Sequence, residues 1–194
     1  RDYLLPRGGA NNELHGKRIA LIGCGSVGGF VASQLASAGV LRLTLIDPED
    51  LSPENTFRHL LGKDAWSEPK VDAIKAEIER KLPFVTIETI AEKAEKALGV
   101  GDLVPSDYDL IVVALGDESV SLYLNEAFHS RGGTPPVVYT WLEPYGIGGH
   151  ALVTGNSDEG GCFECLFTPV SSDGATLDNR AAFAAGGQAF TRDL

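Results

Sequence analysis

The sequence predicts an α/β fold with a doubly wound, mostly parallel β-sheet and flanking helices. Short apolar runs typical of buried strands alternate along the chain with segments whose apolar residues recur at helical spacing. A glycine-rich turn follows the first apolar run, and acidic residues lie just after two of the others. Of the 194 residues 43% are hydrophobic, which is enough for the core of a single domain.

The first strand, turn and helix lie within RIALIGCGSVGGF, residues 18–30. A strand is predicted over 19–22 and a helix over about 26–39. The turn between them has G-x-G-x-x-G spacing, with glycines at Gly23, Gly25 and Gly28. In a Rossmann-like fold these glycines permit a tight turn, let the backbone approach a phosphate and pack the helix on the strand. Together with the helix N-terminus they predict a phosphate site, to which the backbone at Ser26 and Val27 contributes.

The second strand, predicted over 43–46, ends at Asp47, where a carboxylate would reach a ribose hydroxyl. Residues 48–70 then form a long polar loop with three prolines, which we interpret as a wall of the site. The later elements continue the alternation, with Asp117 after the fourth strand. Helices are predicted over 70–81, 92–98 and about 119–130, and strands over 84–90, 109–114, 136–141 and 148–154.

Composition limits the classes of function and the organisation of the chain. The net charge of −11 argues against a nucleic-acid or anionic-membrane surface. Three cysteines, no signal-like segment and no membrane-spanning run indicate a reducing, cytoplasmic location. The sequence contains no methionine, so we expect it to be a segment of a longer protein. We predict an N-terminal arm over 1–16, a nucleotide-binding domain over 17–167 and a linker over 168–194.

A family resemblance rests on polar residues that follow the glycine loop in a fixed order. They are Asp47 with Glu49 and Asp50, then Asn55 and Arg58, then Lys70, and finally Asp117. This succession resembles the adenylating enzymes of the ThiF/MoeB and ubiquitin-activating superfamily over residues 14–167. The resemblance implies that Asp47 holds the ATP ribose and that Asp117 organises magnesium. It further implies that Asn55, Arg58 and Lys70 contact the phosphates.

The chemistry of adenylation agrees with this set. An enzyme that brings a carboxylate to the α-phosphate of ATP joins two anions, so it needs cations and a hard metal around the triphosphate. Arg58 and Lys70 would supply the cations and act with Asp117 in catalysis. An NAD-dependent oxidoreductase needs no such cations beside the pyrophosphate and remains the alternative enzyme class. A non-catalytic interaction platform is the third hypothesis.

Each residue of the set also has a structural interpretation. Arg58 and Lys70 could be solvated surface charges, and Asp117 could cap the helix that follows it. Asp47 and Asn55 could stabilise turns.

The chain departs from the family pattern at two places, and a third correspondence stays open. Ser26-Val27 occupies the glycine loop where a leucine or similar residue is common, which is tolerable because backbone groups bind the phosphate. His59 replaces a Gln that commonly follows the Arg at position 58, so any role of that Gln is in doubt here. An N-terminal arginine of the family corresponds to either Arg1 or Arg7.

The motif Cys162-x-x-Cys165 lies where many members of this superfamily carry half of a four-cysteine zinc site. Because a structural zinc site needs four ligands, three interpretations stay open. They are a zinc half-site completed beyond Leu194, a redox pair, and two packed thiols. Cys24 is interpreted as a small loop residue, and the resemblance places a thioester-forming cysteine beyond Leu194.

The resemblance implies ATP- and magnesium-dependent adenylation of a protein's C-terminal carboxylate, with release of pyrophosphate, before thioester formation. The expected partner is a ubiquitin-like or other protein with a free C-terminal carboxylate. A conjugating enzyme, as a partner or a fused module, and a homodimer are also expected, and a bacterial antiphage conjugation system is one setting for such a domain.

Overall fold

The computed structural model of the chain describes residues 12–131, 133–155, 161–169 and 177–181. Its main sheet is built from six strands: β1 Arg18–Ile22, β2 Arg42–Ile46, β3 Thr86–Ile90, β4 Leu110–Val113, β5 Val137–Leu142 and β6 Gly149–Thr154. Four α-helices connect them: α1 Gly28–Ala38, α2 Lys70–Lys81, α3 Ala94–Val100 and α4 Glu118–His129. The predicted ends of these elements differ from the observed ends by no more than two residues.

The spatial order of the sheet is β3-β2-β1-β4-β5-β6. Strands β1 to β5 run parallel, and β6 is antiparallel to β5. This order is that of a doubly wound Rossmann-like sheet with one antiparallel strand added at the edge. The predicted fold class is therefore confirmed.

Two apolar cores cover the two faces of the sheet, because successive side chains of a strand point to opposite faces. Ile19 and Leu21 of β1 pack with α1 and α2, where Ala32 and Ile74 are buried. The other two apolar residues of β1 lie in the second core, which includes Leu124 of α4. Strands buried on both faces explain why the sequence shows continuous apolar runs rather than an alternating pattern.

The segment that follows the sheet carries a short ladder which the sequence did not predict. Strands β7 Phe167–Pro169 and β8 Leu177–Asn179 pair antiparallel, with Phe167 opposite Asn179. Most of the predicted N-terminal arm and most of the predicted linker lie outside the described residues. Within the described part of the chain, no helix combines the length and the apolarity needed to cross a membrane.

Candidate functional site

The site lies where the strand order reverses, between the carboxyl ends of β1 and β4. Such a switch point opens a crevice, because the loops after the two strands lead to opposite faces of the sheet. The loops touch at their base, where the Ala114 N–H donates to the Ile22 carbonyl over 2.7 Å. Gly23 has a φ of +90°, and a Cβ there would lie 2.6 Å from the Ala114 carbonyl oxygen. Only glycine fits this position, which is the role predicted for the first glycine of the motif.

The other two glycines of the motif have opposite surroundings. A Cβ on Gly28 would lie 1.8 Å from the Gly23 carbonyl oxygen, so this glycine allows α1 to pack against the turn. A Cβ on Gly25 would meet nothing within 4 Å. None of the described residues accepts a hydrogen bond from the N–H groups of Gly25, Ser26 or Val27. Unpaired donors beside open space at a helix N-terminus form a cradle that suits a phosphate group.

The side chain of Asp47 holds the backbone of the phosphate loop in position. Its side chain is buried, and its two carboxylate oxygens accept the backbone N–H groups of Cys24, over 2.6 Å, and of Glu49, over 2.9 Å. The carboxylate therefore ties the end of β2 to the phosphate loop. Its predicted contact with a ribose stays a prediction. Glu49 offers an exposed carboxylate just after this strand, since its side chain is 69% exposed.

Lys70 places a buried positive charge next to the loop. It is the first residue of α2, its side chain is only 4% exposed, and its ammonium group forms an ion pair with Glu49. A buried ammonium requires such a partner. The positive charge of Lys70 acts to lower the pKa of both Cys24 in the phosphate loop and His59 in the long loop. The interpretation of Lys70 as a solvated surface charge is therefore wrong.

Cys24 lies between these groups and is fully buried. Burial raises the pKa of its thiol well above the usual range, and the negative charge of Asp47 raises the pKa further. A thiol held in the protonated form is a poor nucleophile. The environment of Cys24 agrees with the prediction that it is a small loop residue.

Asn55 and Arg58 lie on the long loop between β2 and α2. The Asn55 Oδ1 accepts the Ser52 N–H over 3.3 Å and so stabilises a short 3-10 turn over Pro53–Asn55. Its NH2 group is the part of the side chain that could donate to a phosphate. Arg58 is exposed, and among the described residues no carboxylate lies within 4 Å of its guanidinium group. The structure thus shows the predicted turn role for Asn55 and gives Arg58 no ion-pair partner among the described residues.

His59 joins this long loop to the phosphate loop, and sequence reasoning gave it no role. Its ring nitrogen Nε2 lies 2.8 Å from the Cys24 carbonyl oxygen, and its side chain is buried. Burial lowers the pKa of His59 below its ordinary value. The one sequence signal was its position directly after Arg58, where relatives commonly have a different residue.

Asp117 lies on the β4 side of the site. Its Oδ1 accepts the N–H groups of Ser119, over 2.9 Å, and of Val120, over 3.1 Å, so it caps α4. The residue is exposed, which leaves Oδ2 able to bind a ligand. Magnesium at a nucleotide site is typically held by one or two carboxylates together with phosphate oxygens. This donor fits that pattern, although no cluster of three or more potential ligands exists among the described residues.

Of the two cysteines of the CxxC motif, Cys162 directly precedes a 3-10 turn and Cys165 lies within it, over Phe163–Leu166. Their Sγ atoms are 3.6 Å apart. Burial opposes ionisation of Cys162, but hydrogen bonds, first of all from the Asn125 side chain, lower its pKa overall. Asn125 also accepts the Phe163 N–H over 3.0 Å. Two thiols are half of a structural zinc site, and no third ligand joins them within the described residues.

Comparisons with known proteins agree with this geometry. The sequence model of the ThiF family matches residues 5–185. The ATP-dependent ubiquitin transferase-like protein Cap2 of Pseudomonas aeruginosa is 32% identical over 170 residues, which is 85% of this chain and 30% of that protein. The molybdopterin-synthase adenylyltransferase of Haemophilus influenzae is 32% identical over 101 residues, 52% of this chain and 41% of that protein.

Solved structures show the same fold. The crystal structure of E. coli MccB with ATP superposes with a TM-score of 0.67 and 20% identity, over 79% of this chain and 44% of that one. The chain thus spans less than half the length of each of these relatives.

Proposed function

Because the chain belongs to the ThiF family, we propose that it is an adenylation domain that activates the C-terminal carboxylate of a partner protein with ATP and magnesium. The observation that carries the proposal is the buried Lys70 ammonium beside a loop of unpaired N–H donors. A cation beside a phosphate loop would stabilise the negative charge of a triphosphate, whereas a dinucleotide-binding fold needs no cation there.

In the proposed reaction, an oxygen of the partner carboxylate attacks the α-phosphorus of ATP. A new bond joins carboxylate and phosphate in an acyl adenylate, the bond to the β-phosphate breaks, and pyrophosphate leaves with that electron pair. The N–H groups of Gly25, Ser26 and Val27 would bind phosphate oxygens. Lys70 and Arg58 would stabilise the negative charge that accumulates as the two anions meet.

The remaining residues of the site would hold the nucleotide in place. The exposed carboxylate of Glu49 is better placed than that of Asp47 to accept hydrogen bonds from ribose hydroxyls, since both oxygens of Asp47 already accept N–H groups. The Asn55 amide would donate to a phosphate. Asp117 would hold magnesium, which when bound neutralises charge on the phosphates.

The relatives support a polypeptide as the partner. Cap2 is described as ubiquitin transferase-like, and E. coli MccB has been crystallised with MccA, so a ubiquitin-like protein or another polypeptide with a free C-terminus is the proposed substrate. Transfer of the acyl group to a cysteine, a conjugating-enzyme partner, homodimerisation, zinc at Cys162 and Cys165, and a place in bacterial antiphage conjugation belong to the same proposal.

Calorimetric titration of the full-length protein with ATP and magnesium, and separately with NAD, tests the nucleotide class. We expect ATP binding that weakens at least tenfold in Arg58→Gln and in Lys70→Met, since each loses a charge-assisted contact. Arg42→Gln is the matched control, because Arg42 is an exposed cation at the opposite end of β2. NAD binding without a response to ATP would favour an oxidoreductase, and no binding of either would favour an interaction platform.

A further inference from the structure

His59 holds the phosphate loop through a side chain that faces away from the open side of the cradle. Its Nε2 lies 2.8 Å from the carbonyl oxygen of Cys24, a residue 35 positions earlier in the chain. The other ring nitrogen, Nδ1, accepts the backbone N–H of Leu61 over 3.1 Å. The side chain is buried, and a Cβ on Gly29 would lie 3.7 Å from its Cε1. The ring is therefore wedged between the long loop and the first turn of α1.

These two hydrogen bonds determine the protonation of the ring. A backbone N–H can only donate, so Nδ1 must carry the lone pair that accepts from Leu61. A carbonyl oxygen can only accept, so Nε2 must carry the proton that is donated to Cys24. The ring is neutral with its proton on Nε2, since protonation of Nδ1 would set two N–H groups against each other.

The contact with Cys24 also fixes a group that faces the ligand. In a planar trans peptide the C=O and the following N–H point in opposite directions. Because His59 holds the Cys24 carbonyl on the buried side, the N–H of Gly25 is directed to the opposite side. The Gly25 N–H has no acceptor among the described residues, and a Cβ on Gly25 would meet nothing within 4 Å. Asp47 holds the N–H of Cys24 itself, so both backbone groups of this residue are anchored.

We propose that His59 is a positioning residue that orients the peptide between Cys24 and Gly25, so that the Gly25 N–H is aimed at the phosphates of the bound nucleotide. The inference depends on the proposed function, in which this loop binds ATP. It adds that the loop binds nucleotide only while His59 is neutral.

Acid should release this anchor. The charged and titratable groups that act on the ring are Asp47 at the end of β2, Lys70 of α2 and Cys24 of the loop. Burial disfavours the imidazolium and so does Lys70, whereas the bond to Cys24 and the charge of Asp47 favour it; the pKa of His59 is lowered overall. Nδ1 therefore stays unprotonated at neutral pH and accepts the Leu61 N–H. As the pH approaches the lowered pKa, a proton on Nδ1 would set two N–H groups against each other and displace the ring, so that the Cys24 carbonyl loses its donor and nucleotide affinity falls.

The experiment compares two replacements of His59 in the full-length protein. His59→Leu removes the donor to Cys24, and we expect the Kd for ATP with magnesium to rise about tenfold at neutral pH. His59→Gln keeps an N–H donor near the position of Nε2 but cannot be protonated, so it should bind ATP nearly as the wild type does. His129→Gln is the control, because His129 is exposed at the end of α4.

The pH profile provides a readout that a merely structural role would not change. ATP itself titrates near neutral pH, but this effect is common to all variants and cancels in the ratio of Kd values. The ratio of His59→Gln to wild type should fall as the pH is lowered, because only the wild type loses its anchor. Nitrogen-15 NMR of the nucleotide-free protein should show His59 protonated at Nε2 alone.

The outcomes separate the two proposals. Normal ATP binding by His59→Leu, a ratio that does not change with pH, or a proton on Nδ1 would each overturn the role of His59 while leaving the proposed function intact. Failure of the wild type to bind ATP would overturn the proposed function and this inference with it. Should His59→Leu not fold, the pH profile of His59→Gln and the NMR spectrum still decide.

Discussion

Replacing Asp47 by Asn tests whether this carboxylate supports the phosphate loop or serves the ligand directly. Asn has nearly the same shape, but one of its two terminal groups is an NH2 that cannot accept a hydrogen bond. The two N–H groups of Cys24 and Glu49 that now meet carboxylate oxygens, at 2.6 and 2.9 Å, could not both be satisfied. One N–H would face the NH2 group in a buried setting.

The size of the effect follows from these contacts. A hydrogen bond to a charged acceptor contributes about 1.5–3 kcal/mol, and a buried donor left without a partner costs about 1–3 kcal/mol. We therefore expect Asp47→Asn to lower the free energy of unfolding by about 3 kcal/mol. With a urea dependence of about 2 kcal/mol per molar, the unfolding midpoint would fall by about 1.5 M.

Urea unfolding of the nucleotide-free protein measures this change, with Asp50→Asn as the control. Asp50 is an exposed acid three residues further along the same segment, and its replacement should move the midpoint very little. If the midpoints of Asp47→Asn and Asp50→Asn agree within error while ATP affinity falls only in the former, the carboxylate binds the nucleotide and our account of it as a loop support is refuted.

The further predictions concern the two glycines Gly25 and Gly28 of the phosphate loop, and Asn125 beside the CxxC motif. Gly25→Ala should leave thermal stability nearly unchanged, yet it should weaken ATP binding more than tenfold in calorimetry, because its Cβ would occupy the open side of the cradle. Gly28→Ala should instead lower the melting temperature sharply, since its Cβ would lie 1.8 Å from the Gly23 carbonyl oxygen. Asn125→Ala should lower the free energy of unfolding by about 1–3 kcal/mol, because the Phe163 N–H loses its acceptor. The same variant should slow alkylation of the CxxC thiols at neutral pH, because the Asn125 hydrogen bond lowers the pKa of a thiol there; equal rates would contradict this account.

The fold could be predicted from the sequence because the relevant signals are local. Strands β1 and β4 are continuous apolar runs, and the amphipathic pattern of 70–81 coincides with α2. The glycine motif also predicted which glycine packs against backbone and which faces open space. The short β7 and β8 strands could not be predicted, because they are three residues each in a segment without apolar periodicity and depend on each other for their hydrogen bonds.

The division of roles within the site could not be predicted from the sequence. An acid at the end of β2 satisfies both the ribose and the support interpretation, and only the positions of the Cys24 and Glu49 N–H groups distinguish them. For the same reason the contact between His59 and Cys24 was missed, since it joins residues 35 positions apart in two loops. Hydrogen bonds between loops depend on tertiary packing, which leaves no periodic signal.

A loop that binds phosphate through backbone N–H groups needs other residues to hold those groups in place. Asp47 fixes the N–H of Cys24 and His59 fixes its carbonyl, so both side chains act on one residue from the buried side. In this arrangement the orientation of the Gly25 N–H is established on folding, before the proposed nucleotide binds. Because either loss alone frees the backbone of the same residue, the effects of Asp47→Asn and His59→Leu on ATP affinity should overlap rather than add in the double variant. Additive effects would show that the two side chains support different parts of the site.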